Sequence, residues 1–307
     1  MADKAKVKRK KMKKTWDDWA FDIITNAFLV FFIIIVFYPL WFVLMASFSD
    51  PVHVNSGAAL LFPRGFTLAG YKQVLEDARI WRGYGNTIIY VLGGTLIGTC
   101  MTILAGFSAS RKDVFGNSVL IKLLMFTMYF GGGTIPTYMV IQKLGLLDTR
   151  FLMCILGSFS VYNMIVVRSF MANSIPEELY DAATIDGCGI GNFFFKIVLP
   201  LSKAIIAVIV LYIAVAHWNS YFNAMMYLLD ANKESLQLYL RQVLIASQAR
   251  AGVAASGEDA QLAEQLAEAA ALIKYATIVV STVPILTMYP FVQKYFVKGV
   301  MIGSVKG

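Results

Sequence analysis

Two groups of residues in this chain are placed to do chemistry, and neither has the makings of a catalytic centre. The first is the hydrophilic stretch 173–200. Ser174 and Glu177 stand at capping-box spacing, and Pro176 suits the first turn of a helix. Glu177, Glu178 and Asp181 bring negative charge to that helix's positive end. The predicted helix runs through Ala182, Ala183 and Ile185 to Gly187. Gly189 and Gly191 are expected to break it, before the aromatic run 193–195 leads into a second apolar helix through Ile197, Leu199 and Pro200. Its chemistry is recognition: the two alanines offer a smooth patch to another protein's groove, and Gly187 frees the backbone to turn.

The second group is polar residues in apolar surroundings: His217, Trp218, Asn219, Tyr221 and Asn223, with Tyr162 and Asn163 earlier in the chain. Lipid cannot satisfy such groups, so they are expected to face a bundle interior or a cavity. Asn219 and Asn223, four apart, would share one helical face. The plainer reading is helix packing with an interfacial aromatic belt. Within the apolar runs there are no paired carboxylates, no nucleophile elbow and no metal-ligand spacing. Gly131–Gly133 is no phosphate loop, since no G-x-x-x-x-G-K-[ST] occurs and the triplet sits beside a span. Cys100, Cys154 and Cys188 fit neither a metal site nor a disulfide framework and are read as packing residues.

The elements that must position these residues follow from composition. Of 307 residues, 58% are hydrophobic and 15% charged, against roughly 45–50% and about 25% in soluble domains. Six runs carry no Asp, Glu, Lys or Arg: 23–49, 83–110, 123–142, 151–167, 204–229 and 275–293. A helix crossing the hydrocarbon needs roughly 17–25 apolar residues. The expectation is an all-α integral membrane protein with six transmembrane helices, which excludes a soluble enzyme, a disordered protein and a secreted domain. The net charge of +8 is concentrated at the start. Lys4, Lys6, Lys8, Arg9, Lys10, Lys11, Lys13 and Lys14 precede the first run and read as an orientation signal and a contact for anionic lipid, not for nucleic acid.

With the N-terminus inside, both termini are cytoplasmic, 1–19 is a basic cytoplasmic segment and 20–307 a six-span domain. Loops 50–82 and 230–274 then lie outside, and 173–200 lies inside. Short surface helices are expected over 235–247 and 258–271, and no internal repeat is visible.

At 181–200 a resemblance becomes specific. Asp181, Ala182, Ala183, Gly187, Ile197, Leu199 and Pro200 match, at the same spacing, the EAA loop of importer-type ABC transporter permeases: E-A-A, three residues, G, nine residues, I, one residue, L-P. Asp181 replaces the pattern's Glu, and Ala204 stands where a proline often follows. The stretches 131–138 (GGGTIPTY), 217–223 (HWNSYFN) and 295–299 (YFVKG) resemble carbohydrate-import permeases of the maltose G-subunit type, in the branch for complex oligosaccharides. The likeness covers residues 20–307.

It implies a type I ABC importer permease fold with a cytoplasmic coupling helix in a bacterial cell membrane. It also implies a second homologous permease, two cytoplasmic ATPases holding ATP and Mg, and an extracellular solute-binding protein. No cofactor would be bound by this chain. If a sugar is the substrate, Asn219 and Asn223 are expected to touch its hydroxyls in a water-accessible cavity, with Trp218 or Tyr221 offering a stacking face. The competing class is a self-contained secondary transporter or channel for a small polar solute. That class should carry charged coupling residues within its spans, and the six runs have none, with His217 alone titrating near neutral pH.

Overall fold

The computed structural model describes residues 15–57, 61–256 and 270–287. The basic run 4–14, most of the expected 258–271 helix and the 295–299 motif lie outside the described residues. The chain divides into two compact units, Met1–Thr67 and Leu68–Gly307.

In the first unit, α1 (Trp16–Ser47) is a 32-residue helix. At 1.5 Å per residue it is about 48 Å long, more than the roughly 30 Å of hydrocarbon. Thr15 starts it with a reciprocal cap. The Asp18 N–H donates to Thr15 Oγ1 (3.4 Å), and the Thr15 N–H donates to Asp18 Oδ2 (2.9 Å). Asp50 caps α2 (Pro51–Asn55). The chain then folds back on the end of α1, where Thr67 N–H donates to Phe48 O (2.9 Å) and Phe48 stacks on Phe66.

The second unit begins with α3 (Ala69–Glu76) and the 33-residue α4 (Ala78–Ser110). Helices α5 (Asn117–Tyr129), α6 (Thr134–Lys143), α7 (Arg150–Ile155) and α8 (Val161–Ser174) follow. The hydrophilic stretch after α8 holds α9 (Glu177–Ile185), α10 (Ile190–Phe193), a π-helical turn at Phe194–Val198 and α11 (Leu199–Leu201). Then come α12 (Lys203–Trp218), α13 (Phe222–Tyr227), α14 (Leu236–Ser256) and α15 (Ala270–Thr287). No strand occurs among the described residues.

Helix α4 is the centre of this unit, with α12, α8, α7 and α14 packed against it. In lipid, helices gain nothing by hiding apolar surface from one another, so close backbone approach matters more. Three α4 glycines allow it. A Cβ at Gly94 would collide with the His217 ring on α12, one at Gly98 with the Ser158 carbonyl, and one at Gly106 with Val167 on α8. A polar clasp holds the opposite end of the unit from α9. Lys233 Nζ donates to both Asp148 O and Oδ2 (2.7 Å each), and the N–H groups of Leu229 and Asp230 donate to Asp148 Oδ1. Tyr90 and Asn86 of α4 donate to the carbonyls of Lys233, Asn232 and Glu234. The Lys233 side chain lowers the Asp148 pKa, and Asp148 sits at φ +56.

Among the described residues three helices are long and apolar enough to cross a membrane (α1, α4 and α15), and up to five spans result if two bent pairs each count once. The six uncharged runs therefore do not become six unbroken helices. The run 123–142 is interrupted before α6, where Gly133 adopts φ +84, and α5 and α6 meet at 114°. The run 151–167 breaks at Gly157, φ +81. The run 204–229 breaks after Trp218. There the Asn219 side chain donates to Val215 O (3.0 Å), the same acceptor its own backbone N–H uses, a side-chain competition that ends helices. The 235–247 helix is present but runs on to Ser256 as α14.

If close approach at Gly98 is what seats α4, Gly98→Leu should destabilise the detergent-solubilised protein by roughly 1–3 kcal/mol, as overpacking does. Gly85→Ala, where an added Cβ meets nothing within 4 Å, should be neutral or stabilising by up to about 1 kcal/mol. Thermal unfolding of both variants checks this, and equal melting points would contradict it.

Candidate functional site

Helix α9 starts differently from expectation. Ser174 does not cap it, because it is still the last residue of α8. Ile175, preceding a proline, is forced to extended backbone (φ −117, ψ 99), and Pro176 takes the N-cap position without a side-chain bond. Glu177 is thereby free to bind Lys112 Nζ at 2.6 Å.

At the other end Gly187, at φ +73, closes the helix. Its N–H donates to Thr184 O (3.0 Å) and the Cys188 N–H to Ala183 O (2.8 Å), the paired bonds of a Schellman motif. Gly189 and Gly191 are not the breakers: Gly189 has φ −66 and caps α10, and Gly191 lies inside α10. The second limb widens into a π turn just before Pro200, which has no N–H with which to close an α-helical bond. It then bends by 80° into α12.

The helix has two distinct faces. Glu178, Asp181, Ala182 and Ile185 are exposed, a spacing of 0, 3, 4 and 7 that defines one stripe. Ile185 is 87% exposed. Leu179, Tyr180 and Ala183 turn inward onto a cluster containing Met171, Phe193, Phe194 and Val198, which Ile197 and Leu199 also join, while Pro200 is exposed. The Tyr180 ring meets Phe193 edge-on at 5.1 Å. The two alanines therefore do not form one docking patch. Consecutive helical residues diverge by about 100°, so Ala182 faces out and Ala183, only 8% exposed, packs inside its own chain. The outward apolar residue that the motif did not mark is Ile185, detectable as the fourth member of the stripe that begins at Glu178.

The second group is dispersed. Trp218 is 6% exposed and packs among Val74, Ile80, Leu236 and Tyr239, so it presents no stacking face. With the helix broken between α12 and α13, Asn219 and Asn223 do not share a helical face. Asn219 is exposed and Asn223 half-buried. Tyr221 is exposed, with the Arg241 guanidinium 4.8 Å from its ring centre. His217 is buried, Nδ1 at 3.1 Å from Ile213 O and Nε2 at 3.3 Å from Ser158 Oγ. Tyr162 is exposed at the start of α8, beside half-buried Asn163. It lines a cavity of about 570 Å³ with Leu124, Thr127, Met128, Phe159 and Ser160. Among the described residues no cluster of His, Cys, Asp or Glu could hold a metal ion.

Comparison with known proteins gives full-length matches. The polygalacturonan/rhamnogalacturonan transport system permease protein YtcP of Bacillus subtilis (strain 168) is 38% identical over 288 residues, covering 94% of this chain and 98% of that protein. Protein LplC of the same organism is 37% identical, covering 94% and 95%. A solved bacterial ABC transporter involved in the import of the acidic polysaccharide alginate contains a chain that superposes with a TM-score of 0.81 at 29% identity, covering 93% of this chain and 99% of that one. No family model matches the chain.

The inward position of Ala183 changes what a bulky residue there should do. Ala183→Trp is expected to disrupt the chain's own core and lower its yield and melting point together. Gly187→Val should cost roughly 1–2 kcal/mol through the left-handed backbone. Melting of the purified variants in detergent checks both, and an unchanged melting point for Ala183→Trp would refute the inward assignment.

Proposed function

Because the chain belongs to the permease subunits of bacterial carbohydrate ABC importers, we propose that α9 is its coupling helix, seated by the stripe Glu178, Asp181, Ala182 and Ile185 in a groove of a partner ATPase. The observation that carries this is the exposure of Ile185 on a short helix closed at its C-terminal end by the Schellman turn at Gly187. A large apolar side chain held out in water at that position is accounted for by a partner that covers it. ATP and Mg belong to the ATPases, and this chain contributes movement, not chemistry.

On this reading the chain forms half of a path shared with a second permease, fed from outside by a solute-binding protein. Six crossings with both termini cytoplasmic suit the charge pattern, the α7–α8 pair supplying the crossing beyond the five. Loops 50–82 and 230–274 then form the outer docking surface, and 173–200 is the inner one. The path is proposed to run past Tyr162, Asn163, Asn219, Tyr221 and Asn223, with Trp218 as packing behind it.

The substrate is proposed to be an oligosaccharide. Relatives named for polygalacturonan/rhamnogalacturonan and for alginate favour a uronate-bearing one, a charge that Arg241 over Tyr221 could meet. Uptake of a galacturonate oligosaccharide should exceed that of a neutral maltodextrin of equal length.

Two experiments test the assignment. Ala182→Trp and Ile185→Asp should leave the protein folded, yet reduce co-purified ATPase about tenfold, as loss of a buried contact in an interface does. Wild-type ATPase retention in both would sink the coupling-helix reading. Separately, single cysteines at Lys112 and Glu178 should resist an impermeant thiol reagent on intact cells, and one at Lys72 should react. Labelling at Glu178 would reverse the orientation.

A further inference from the structure

The route by which displacement of α9 reaches the spans is not settled by covalent connection alone. Both of its chain ends are corners: the extended Ile175–Pro176 link on one side, and Gly187 at φ +73 on the other. Between those corners Leu179, Tyr180 and Ala183 pack on the apolar cluster of Met171, Phe193, Phe194 and Val198, and apolar burial of this kind is non-directional. One lateral contact adds direction to it. Arg111 is the residue that follows α4, and its side chain is 10% exposed. Its guanidinium lies 3.6 Å from the centre of the Tyr180 ring on α9, with the Phe107 ring of α4 6.0 Å away. Its edge is held by two bonds to Asp113, Nε to Oδ1 (2.8 Å) and Nη2 to Oδ2 (2.6 Å).

This pairing raises the Arg111 pKa and lowers that of Asp113, so the clamp stays charged throughout the physiological range. A planar cation fixed at its edge and laid on an aromatic face makes a directional contact. The other tie, Lys112 to Glu177, is exposed at both ends and therefore weak. Around the clamp, packing is incomplete: a cavity of about 330 Å³ is lined by Phe107, Arg111, Met171, Ile175, Glu177 and Tyr180 among others.

We propose that Arg111 is the positioning residue that locks α9 to the end of α4, so that ATPase-driven movement of α9 is delivered directly to the helix on which α7, α8, α12 and α14 pack. The proposal rests on the coupling-helix reading above and adds a route to it.

The test uses the assembled transporter in proteoliposomes with sugar-loaded binding protein. It reads three quantities: ATPase retained, oligosaccharide moved per ATP hydrolysed, and the distance distribution between spin labels at Ser108 and Thr184. Arg111→Ala and Tyr180→Leu should both retain ATPase, broaden that distribution and lower sugar moved per ATP about tenfold. The double variant should be no worse than either single one, as partners in one contact are non-additive. Tyr180→Phe keeps the ring and should behave as wild type. Where Arg111→Ala does not assemble, Arg111→Lys carries the test, because it keeps the charge without the planar face and should fall about threefold.

Wild-type coupling in the arginine variant, or Tyr180→Phe falling as far as Tyr180→Leu, overturns the proposal, as does loss of bound ATPase in Tyr180→Leu. None of these outcomes touches the coupling-helix reading, whose own failure would show as ATPase retention in Ala182→Trp and Ile185→Asp.

Discussion

What the larger unit depends on is how closely other segments approach one face of α4. Inside a bilayer there is no gain in hiding a leucine from lipid, so helices stay together through dense contact and through polar groups that find partners only there. Gly94, Gly98 and Gly106 remove the side chains that would hold α12, the Gly157–Ser158 turn and α8 away. The buried His217 ring, which is seated against Gly94 and reaches Ser158, has its place only because of that approach. The polar clasp of Asp148, Lys233, Tyr90 and Asn86 ties the loops at one end of α4. Arg111 and Arg168 act at the other, the latter donating to Ala109 O at 3.0 Å.

This arrangement explains why so many spans are broken without penalty. Irregular backbone at membrane depth is tolerated where protein or a water-filled cavity satisfies it. The breaks at Phe130–Gly133, at Gly157 and at Asn219 lie in the unit organised around α4, and the turn at Gly157–Ser158 sits directly on it. The cavity beside Tyr162 opens near the first of these breaks, where α5 ends and α8 begins. Movement of α9 relative to α4 would therefore reach a region in which several short helical pieces, not long rods, border the open space.

For α9 itself, sequence and structure divide the work unevenly. The acidic start, the glycine that ends it and the apolar limb after it all depend on residues within a few positions of one another, so they could be read directly. The roles of Ser174, Gly189 and Ala183 could not. Ser174 has the right spacing for a cap, but whether α8 has already ended is decided by packing of α8 on α4. Gly189 has the conformational freedom to break a helix, but Gly187 takes the positive φ first, and the chain needs only one such residue. Ala183 and Ala182 are indistinguishable as letters. Which of them faces outward follows from the side on which Phe193 and Met171 arrive.

Membrane residence, helical class, the run boundaries and the family pattern at 181–200 were determined by the sequence alone, because each depends on composition or on spacing along one continuous segment. The tertiary structure decided which runs stay unbroken, that Trp218 is packing, that Asn219 and Asn223 part company, and that Arg111 lies on Tyr180. Those outcomes are set by groups far apart in the chain: Gly94 against His217, Gly98 against Ser158, Arg111 against Tyr180. A contact between residues separated by sixty or more positions leaves no periodicity in either segment, so it becomes visible only once the chain has folded.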